Sequence, residues 1–112
     1  MKNKLLLAVG SIALLTACDA SKENEMEWFD HAVKTSGHQL LYMSEQLKNE
    51  PDTACFPRSI KEGKYRLEHP TDWTSGFYPG SMWLAYELTA DEVLAKEARK
   101  YTDRLQDMQY YT

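Results

Sequence analysis

Cysteine is scarce in this chain: Cys18 and Cys55 are the only two among 112 residues. A disulfide framework of the kind that staples small secreted domains is therefore excluded. Histidine is scarce too. Of the three histidines, His31 and His38 are seven residues apart. On a helix they share a face two turns apart, too far to hold one ion, so solvent-side positions are expected and no metal site. No run of like charge, no low-complexity tract and no internal repeat occurs. No apolar stretch is long enough to span a bilayer comfortably; the longest, Leu5 to Leu15, is too short. An excess of basic residues is also missing. Without Lys2 and Lys4 the 13 basic side chains fall to 11 against 17 acidic, a formal balance of −6. That argues against electrostatic binding to nucleic acid or to an anionic membrane surface. A polyanionic sugar is not excluded, since a basic pocket can be built locally.

What is present begins with a targeting segment. Lys2 and Lys4 make a basic head, Leu5 to Leu15 an apolar middle, and Leu15-Thr16-Ala17 a small-residue exit before Cys18. That order reads as a secretory signal. The Leu-Thr-Ala-Cys tetrad resembles the bacterial lipobox, in which the cysteine becomes the lipid-carrying N-terminus. Residues 1–17 are thus expected to be a lipoprotein signal peptide, with lipid attachment at Cys18 and residues 18–24 a polar, acidic tether. Residues 25–112 are expected to be folded. The expected location is the bacterial cell envelope, anchored at the outer membrane by lipid. An acylated Cys18 leaves Cys55 without a partner in this chain, and no histidine is tied to Cys55 by spacing. A small, partly buried apolar residue is the expected role of Cys55, not a catalytic thiol.

Hydrophobic periodicity predicts three helices. Phe29, Val33, Ser36, Leu40, Met43 and Leu47 recur at alternating steps of four and three, which marks one stripe on a helix over Glu25–Asn49. Gly37 weakens its middle by about 1 kcal/mol relative to Ala, and Pro51 stands past its end as a stop signal. Cys55 to Thr74 reads as a long irregular segment punctuated by Pro57, Gly63 and Pro70. Gly80–Leu88 is apolar almost all round and predicts an inner helix, the most buried of the three. Asp91–Tyr110 carries a stripe of Val93, Leu94, Ala98, Tyr101, Leu105 and Met108, and predicts an amphipathic outer helix. Thr89 with Glu92 fits a capping box, and Asp91 is the competing cap. Buried helix, tight turn and amphipathic helix make an αα-hairpin.

Between the first and second helices lies the chemically informative stretch. Trp73, Phe77, Tyr78 and Trp83 cluster around Gly76, Pro79 and Gly80, with Asp72 beside Trp73. Aromatic faces stack on the C–H faces of sugar rings, and glycines let backbone approach a ligand. The competing assignment is that aromatics ahead of a buried helix are core residues.

Three segments carry a resemblance: Phe56-Pro57-Arg58, the run from Asp72 to Trp83, and Tyr86-Glu87-Leu88-Thr89. The pattern Asp-Trp-Thr-x-Gly-Phe-x-x-Gly-x-x-Trp resembles the start of the unsaturated glucuronyl hydrolases, glycoside hydrolase family 88. The likeness runs from about Trp28 to the end. One departure is Thr89-Ala90-Asp91, where the family has Thr-Gly-Asp, so the geometry of that turn is in question.

The resemblance implies an all-α fold, the first hairpins of an (α/α)6 barrel of the six-hairpin glycosidase type. It implies an enzyme that needs no cofactor and acts on oligosaccharides ending in a 4,5-unsaturated uronic acid. In that chemistry an aspartic acid protonates the C4=C5 vinyl ether and assists water addition at C5; the hydrated product opens and releases the aglycone. By family position Trp73 is expected to bind substrate by packing against the unsaturated sugar, while Arg58 and Asp72 sit in matching segments without an assigned role. The protonating aspartate belongs to a His-His-Asp-like motif expected after Tyr110-Tyr111-Thr112, so these 112 residues are expected to be an N-terminal fragment, marginally stable and inactive. The related unsaturated rhamnogalacturonyl hydrolases and a non-catalytic, lipid-anchored glycan-binding protein are the alternatives.

Overall fold

The computed structural model describes residues 25–111. The signal segment, the lipid site at Cys18 and the tether lie outside the described residues. The chain divides into two units, Met1–Ala32 and Val33–Thr112. Residues 25–32 of the first are helical, with Met26, Trp28 and Phe29 exposed. The second unit holds the rest of that helix and all of the elements that follow.

Helix α1 covers residues 25–46, three residues short of the expected end, and residues 47–49 follow as turns. Within the second unit its buried positions are Gly37 and Ser44, with Leu40 and Met43 half-buried, and Leu47 in the turn just past its end is buried too. The packed face is therefore rotated slightly from the predicted stripe, because Gly37 sits at a close approach. A methyl group placed on Gly37 would stand 3.2 Å from Cδ1 of Leu94, which is fully enclosed. The glycine that weakens the helix locally is what lets it lie against its neighbour. Ser44, also buried, donates a hydrogen bond from its hydroxyl to the Glu97 carboxylate.

The all-α expectation needs a correction. Phe56–Lys61 (β1) and Lys64–Glu68 (β2) form an antiparallel two-stranded sheet where an irregular segment was expected. Glu62 and Gly63 connect them with φ of 52° and 76°. Positive φ at both central residues is what a two-residue hairpin turn of the right twist demands. Pro57 has no N–H to give to a ladder, but in a sheet of two strands each strand is an edge and can accommodate it. The register jumps from Pro57↔Leu67 to Ser59↔Arg66, so Arg58 is the extra residue of a β-bulge.

Two further α-helices follow, α2 (Phe77–Thr89) and α3 (Glu92–Asp103). They form the expected αα-hairpin. Asp91, not Thr89, caps α3, its carboxylate accepting from the Val93 N–H at 2.9 Å. Thr89 turns back instead, donating to the Ala85 carbonyl at 2.7 Å. Ala90 ends α2 in the left-handed conformation, φ 56° and ψ 26°, with its N–H on the Tyr86 carbonyl at 2.7 Å. The glycine-less turn thus keeps a glycine's geometry at a cost of roughly 1–2 kcal/mol. The predicted outer helix stops at Asp103; a 3-10 turn, Gln106–Tyr110, continues it.

The core gathers Cys55, Phe56, Tyr78, Met82, Ala98 and Tyr101, with Leu40, Met43, Trp83 and Leu105 packed against it. Phe56 and Tyr78 both meet the Tyr101 ring edge to face, at centroid distances of 6.0 and 4.8 Å. The Tyr78 hydroxyl donates to the Leu40 carbonyl at 3.0 Å, tying α2 to α1. Expected burial of α2 is only partly met. Leu84 and Leu88 are exposed, and α3 buries as many side chains as α2 does. Among the described residues no helix is long and apolar enough to cross a membrane.

Candidate functional site

The segment between β2 and α2 is held by a chain of short-range bonds. The Asp72 N–H donates to the His69 carbonyl at 2.9 Å, the Ser75 N–H to the Asp72 carbonyl at 3.0 Å, and the Phe77 N–H to the Thr74 carbonyl at 3.1 Å. Buried Ser75 donates from its hydroxyl to the Pro70 carbonyl at 2.9 Å. Asp72 folds over the next turn: its Oδ1 accepts from the Thr74 N–H at 2.8 Å and from the Thr74 hydroxyl. A carboxylate that bonds the backbone two residues ahead is an Asx-turn, a compact device that fixes the residue between.

That residue is Trp73. Its side chain is 75% exposed, on a backbone with little freedom. The ring meets Phe77, itself 63% exposed, edge to face at 5.7 Å with an interplanar angle of 85°. Large aromatics held out in water at a defined angle contribute little to the core, and exposed apolar surface of this kind is the sort that ligands cover. The other two aromatics of the sequence cluster have different tasks. Tyr78 is core, and burial pushes its phenol well above the ordinary value of 10.0. Trp83 donates from Nε1 to the Thr102 hydroxyl at 3.0 Å and lies under the Arg99 guanidinium. Gly76 and Gly80 have open space where a Cβ would stand, so they leave the surface beside Phe77 clear.

Charge next to this pair is balanced. Arg58 reaches from the bulge of β1 to Oδ2 of Asp72 and to Oε1 of Glu68, each at 3.5 Å, and Arg66 lies 3.0 Å from the same Glu68 oxygen. The Asp72 carboxyl is held below its ordinary 3.8, first by the Thr74 hydroxyl, then by the Thr74 N–H, with Arg58 assisting. Arg58 also borders a cavity of about 230 Å³ between the hairpin and α2, shared with Met43, Ile60, Tyr65, Phe77 and Tyr78. The structure therefore joins Arg58 to Asp72 and Trp73, which the sequence could only place in two separate segments. Phe77, named in the aromatic cluster but not singled out for binding, belongs with them.

Cys55 is fully buried, and burial pushes its thiol above 9.0 despite the nearby Arg104. It is a core residue, as expected. His31 and His38 are both exposed. Among the described residues no group of three His, Cys, Asp or Glu side chains is placed to hold a metal ion.

No protein-family model matches the chain. It is 32% identical over 108 residues to an unsaturated glucuronyl hydrolase of Formosa agariphila, covering 92% of this chain and 26% of that protein. It is 38% identical over 64 residues to an unsaturated glucuronyl hydrolase of Bacillus sp. strain GL1, covering 50% of this chain and 17% of that protein. A crystal structure of an unsaturated glucuronyl hydrolase specific for heparin superposes with a TM-score of 0.65 and 38% identity, over 75% of this chain and 22% of the other. The chain spans about a quarter of the length of the first of these relatives.

Proposed function

We propose that this chain belongs to the unsaturated glucuronyl hydrolases and forms one wall of a site that removes a 4,5-unsaturated uronic acid from lyase-generated oligosaccharides. The single observation that carries the reading is Trp73, exposed beside Phe77 on a loop whose backbone is tied at nearly every step. Likeness in sequence and fold to proteins bearing that name supports it. The architecture that goes with this reading is an (α/α)6 barrel, to which α1, α2 and α3 contribute the first hairpins and the β-hairpin a lateral embellishment.

The described residues supply binding, not proton transfer. A general acid for a vinyl ether must be protonated at working pH. Asp72 is the carboxyl nearest Trp73 in the chain, and its neighbours hold it ionised. That disfavours it as the donor. The protonating aspartate is assigned to the part of the relatives that this chain does not cover. Attachment to a bacterial membrane through lipid on Cys18 is part of the same proposal, and the mass of the mature N-terminus tests it.

The test of function is the loss of absorbance of the C4=C5 bond in an unsaturated uronyl disaccharide. The 112-residue chain is expected to leave it unchanged. A chain extended to the length of its relatives is expected to consume it, with Trp73→Ala raising KM. Turnover by the 112-residue chain itself would relocate the acid to this segment. Binding with no turnover by the extended chain would favour a lipid-anchored glycan-binding protein instead.

A further inference from the structure

Trp73 meets Phe77 edge to face and is otherwise largely exposed. Its placement therefore depends heavily on its backbone. The backbone is set by Asp72, whose carboxylate spans Trp73 to bond Thr74 twice. Asp72 is in turn engaged on its other oxygen, Oδ2, by Arg58. Arg58 is 14 residues away in sequence and reaches Asp72 because of a local irregularity: it is the extra residue of the β1 bulge. An inserted residue re-aims side chains relative to the regular alternation of a strand. The two oxygens of one carboxylate thus do different jobs: one closes the turn, the other ties the turn to the hairpin.

We propose that Asp72 and Arg58 are positioning residues for the Trp73–Phe77 platform, acting as a bracket between the β-hairpin and the aromatic loop. The inference rests on the proposed function for its purpose, but not for its geometry. Arg58 has a second consequence. A uronic acid is anionic, and an unpaired carboxylate at Asp72 would oppose its approach to Trp73 through like-charge repulsion. With Arg58 in place the side chains nearest the platform are balanced: Arg58 and Arg66 face Asp72 and Glu68. The bracket both fixes the ring and removes the charge that would repel its ligand.

The experiment uses the full chain labelled with 5-fluorotryptophan, whose three tryptophans give three fluorine resonances, that of Trp73 assigned by its loss in Trp73→Phe. Asp72→Ala is expected to shift and narrow the Trp73 resonance while that of Trp83, bonded to Thr102, stays in place. Asp72→Asn keeps an acceptor for the Thr74 N–H and is expected to hold the ligand-free Trp73 resonance near its wild-type position. A Trp73 resonance unmoved by Asp72→Ala, or one that moves together with that of Trp83, overturns positioning. Titration with an unsaturated uronyl disaccharide supplies the second arm. Wild type is expected to show a saturable Trp73 shift, weakened about tenfold by Asp72→Ala and about threefold by Arg58→Gln, the latter recovering with salt. Unchanged titrations in both variants overturn the inference. A disaccharide that leaves the wild-type Trp73 resonance in place overturns the proposed function, and the ligand-free spectra distinguish that failure from the first.

Discussion

Of the aromatic rings that meet edge to face among the described residues, two groups differ in almost everything else. Phe56, Tyr78 and Tyr101 do so in the core, where Phe56 and Tyr101 are nearly inaccessible to water. Trp73 and Phe77 do so in solvent, at a similar separation and angle. The buried group joins three parts of the chain that are far apart in sequence: the start of the hairpin, the first turn of α2 and the last turn of α3. The exposed pair joins residues four apart and holds nothing together. Similar ring geometry therefore has two meanings, and neighbours decide which. Where rings are enclosed by Cys55, Met82 and Ala98, the contact is structural. Where the surroundings are an Asx-turn, two open glycines and a balanced ion cluster, the contact is a display.

The sharpest way to break that contrast is Tyr101→Ala. It removes the ring shared by both core contacts and should cost about 3–5 kcal/mol. For a chain of this size that is enough to abolish a cooperative thermal transition monitored by far-ultraviolet circular dichroism. Alkaline titration comes next and reads the same ring in its natural form. Burial raises the Tyr78 and Tyr101 phenols above 10.0, so the folded state holds their protons more tightly than the unfolded chain does. Their contribution is fully present below pH 10 and is lost as pH climbs towards the folded values. Tyrosinate absorbance should therefore lag behind the exposed tyrosines and rise together with the loss of helix signal; early titration of all tyrosines would contradict enclosure.

Smaller effects follow. Gly37→Leu forces a side chain into the space that Leu94 fills and should cost about 1–3 kcal/mol in chemical denaturation; an unchanged midpoint would show that α1 does not approach α3 so closely. Ala90→Gly should run the other way, relieving the left-handed alanine and adding about 0.5–1 kcal/mol. Trp73→Ala should change stability least, within about 0.5 kcal/mol, while removing saccharide binding. A large destabilisation by Trp73→Ala would erase the distinction between the two aromatic groups.

Much of this was legible in the sequence, and the parts that were not share a cause. Helices announce themselves through stripes such as Leu94, Ala98 and Tyr101, because burial repeats with the helical period. The β-hairpin does not. Pro57 demotes the first strand, the bulge at Arg58 breaks the alternation, and the turn uses Glu62 at φ 52° where Asn or Asp would have signalled it. Trp73 could be singled out by its aromatic, glycine-rich surroundings. The role of Arg58 could not, because an ion pair between residues separated by a bulge and a strand leaves no periodic trace. Nor could the opposite fates of Phe77 and Tyr78, adjacent in the chain: a single residue of helical register decides which ring points into solvent.

The hairpin tip also bears on how such a chain can be altered. At Glu62–Gly63 both residues are exposed, nothing lies within 4 Å of where a Gly63 side chain would begin, and the only demand is positive φ at two successive positions. Exposed tips of this kind accept added polypeptide with little penalty. A tag, a fluorophore or a further module grafted there would be carried on the hairpin that holds Arg58, at the opposite end from the Phe56 anchor. The turn is thus a ready point of attachment that leaves the core untouched.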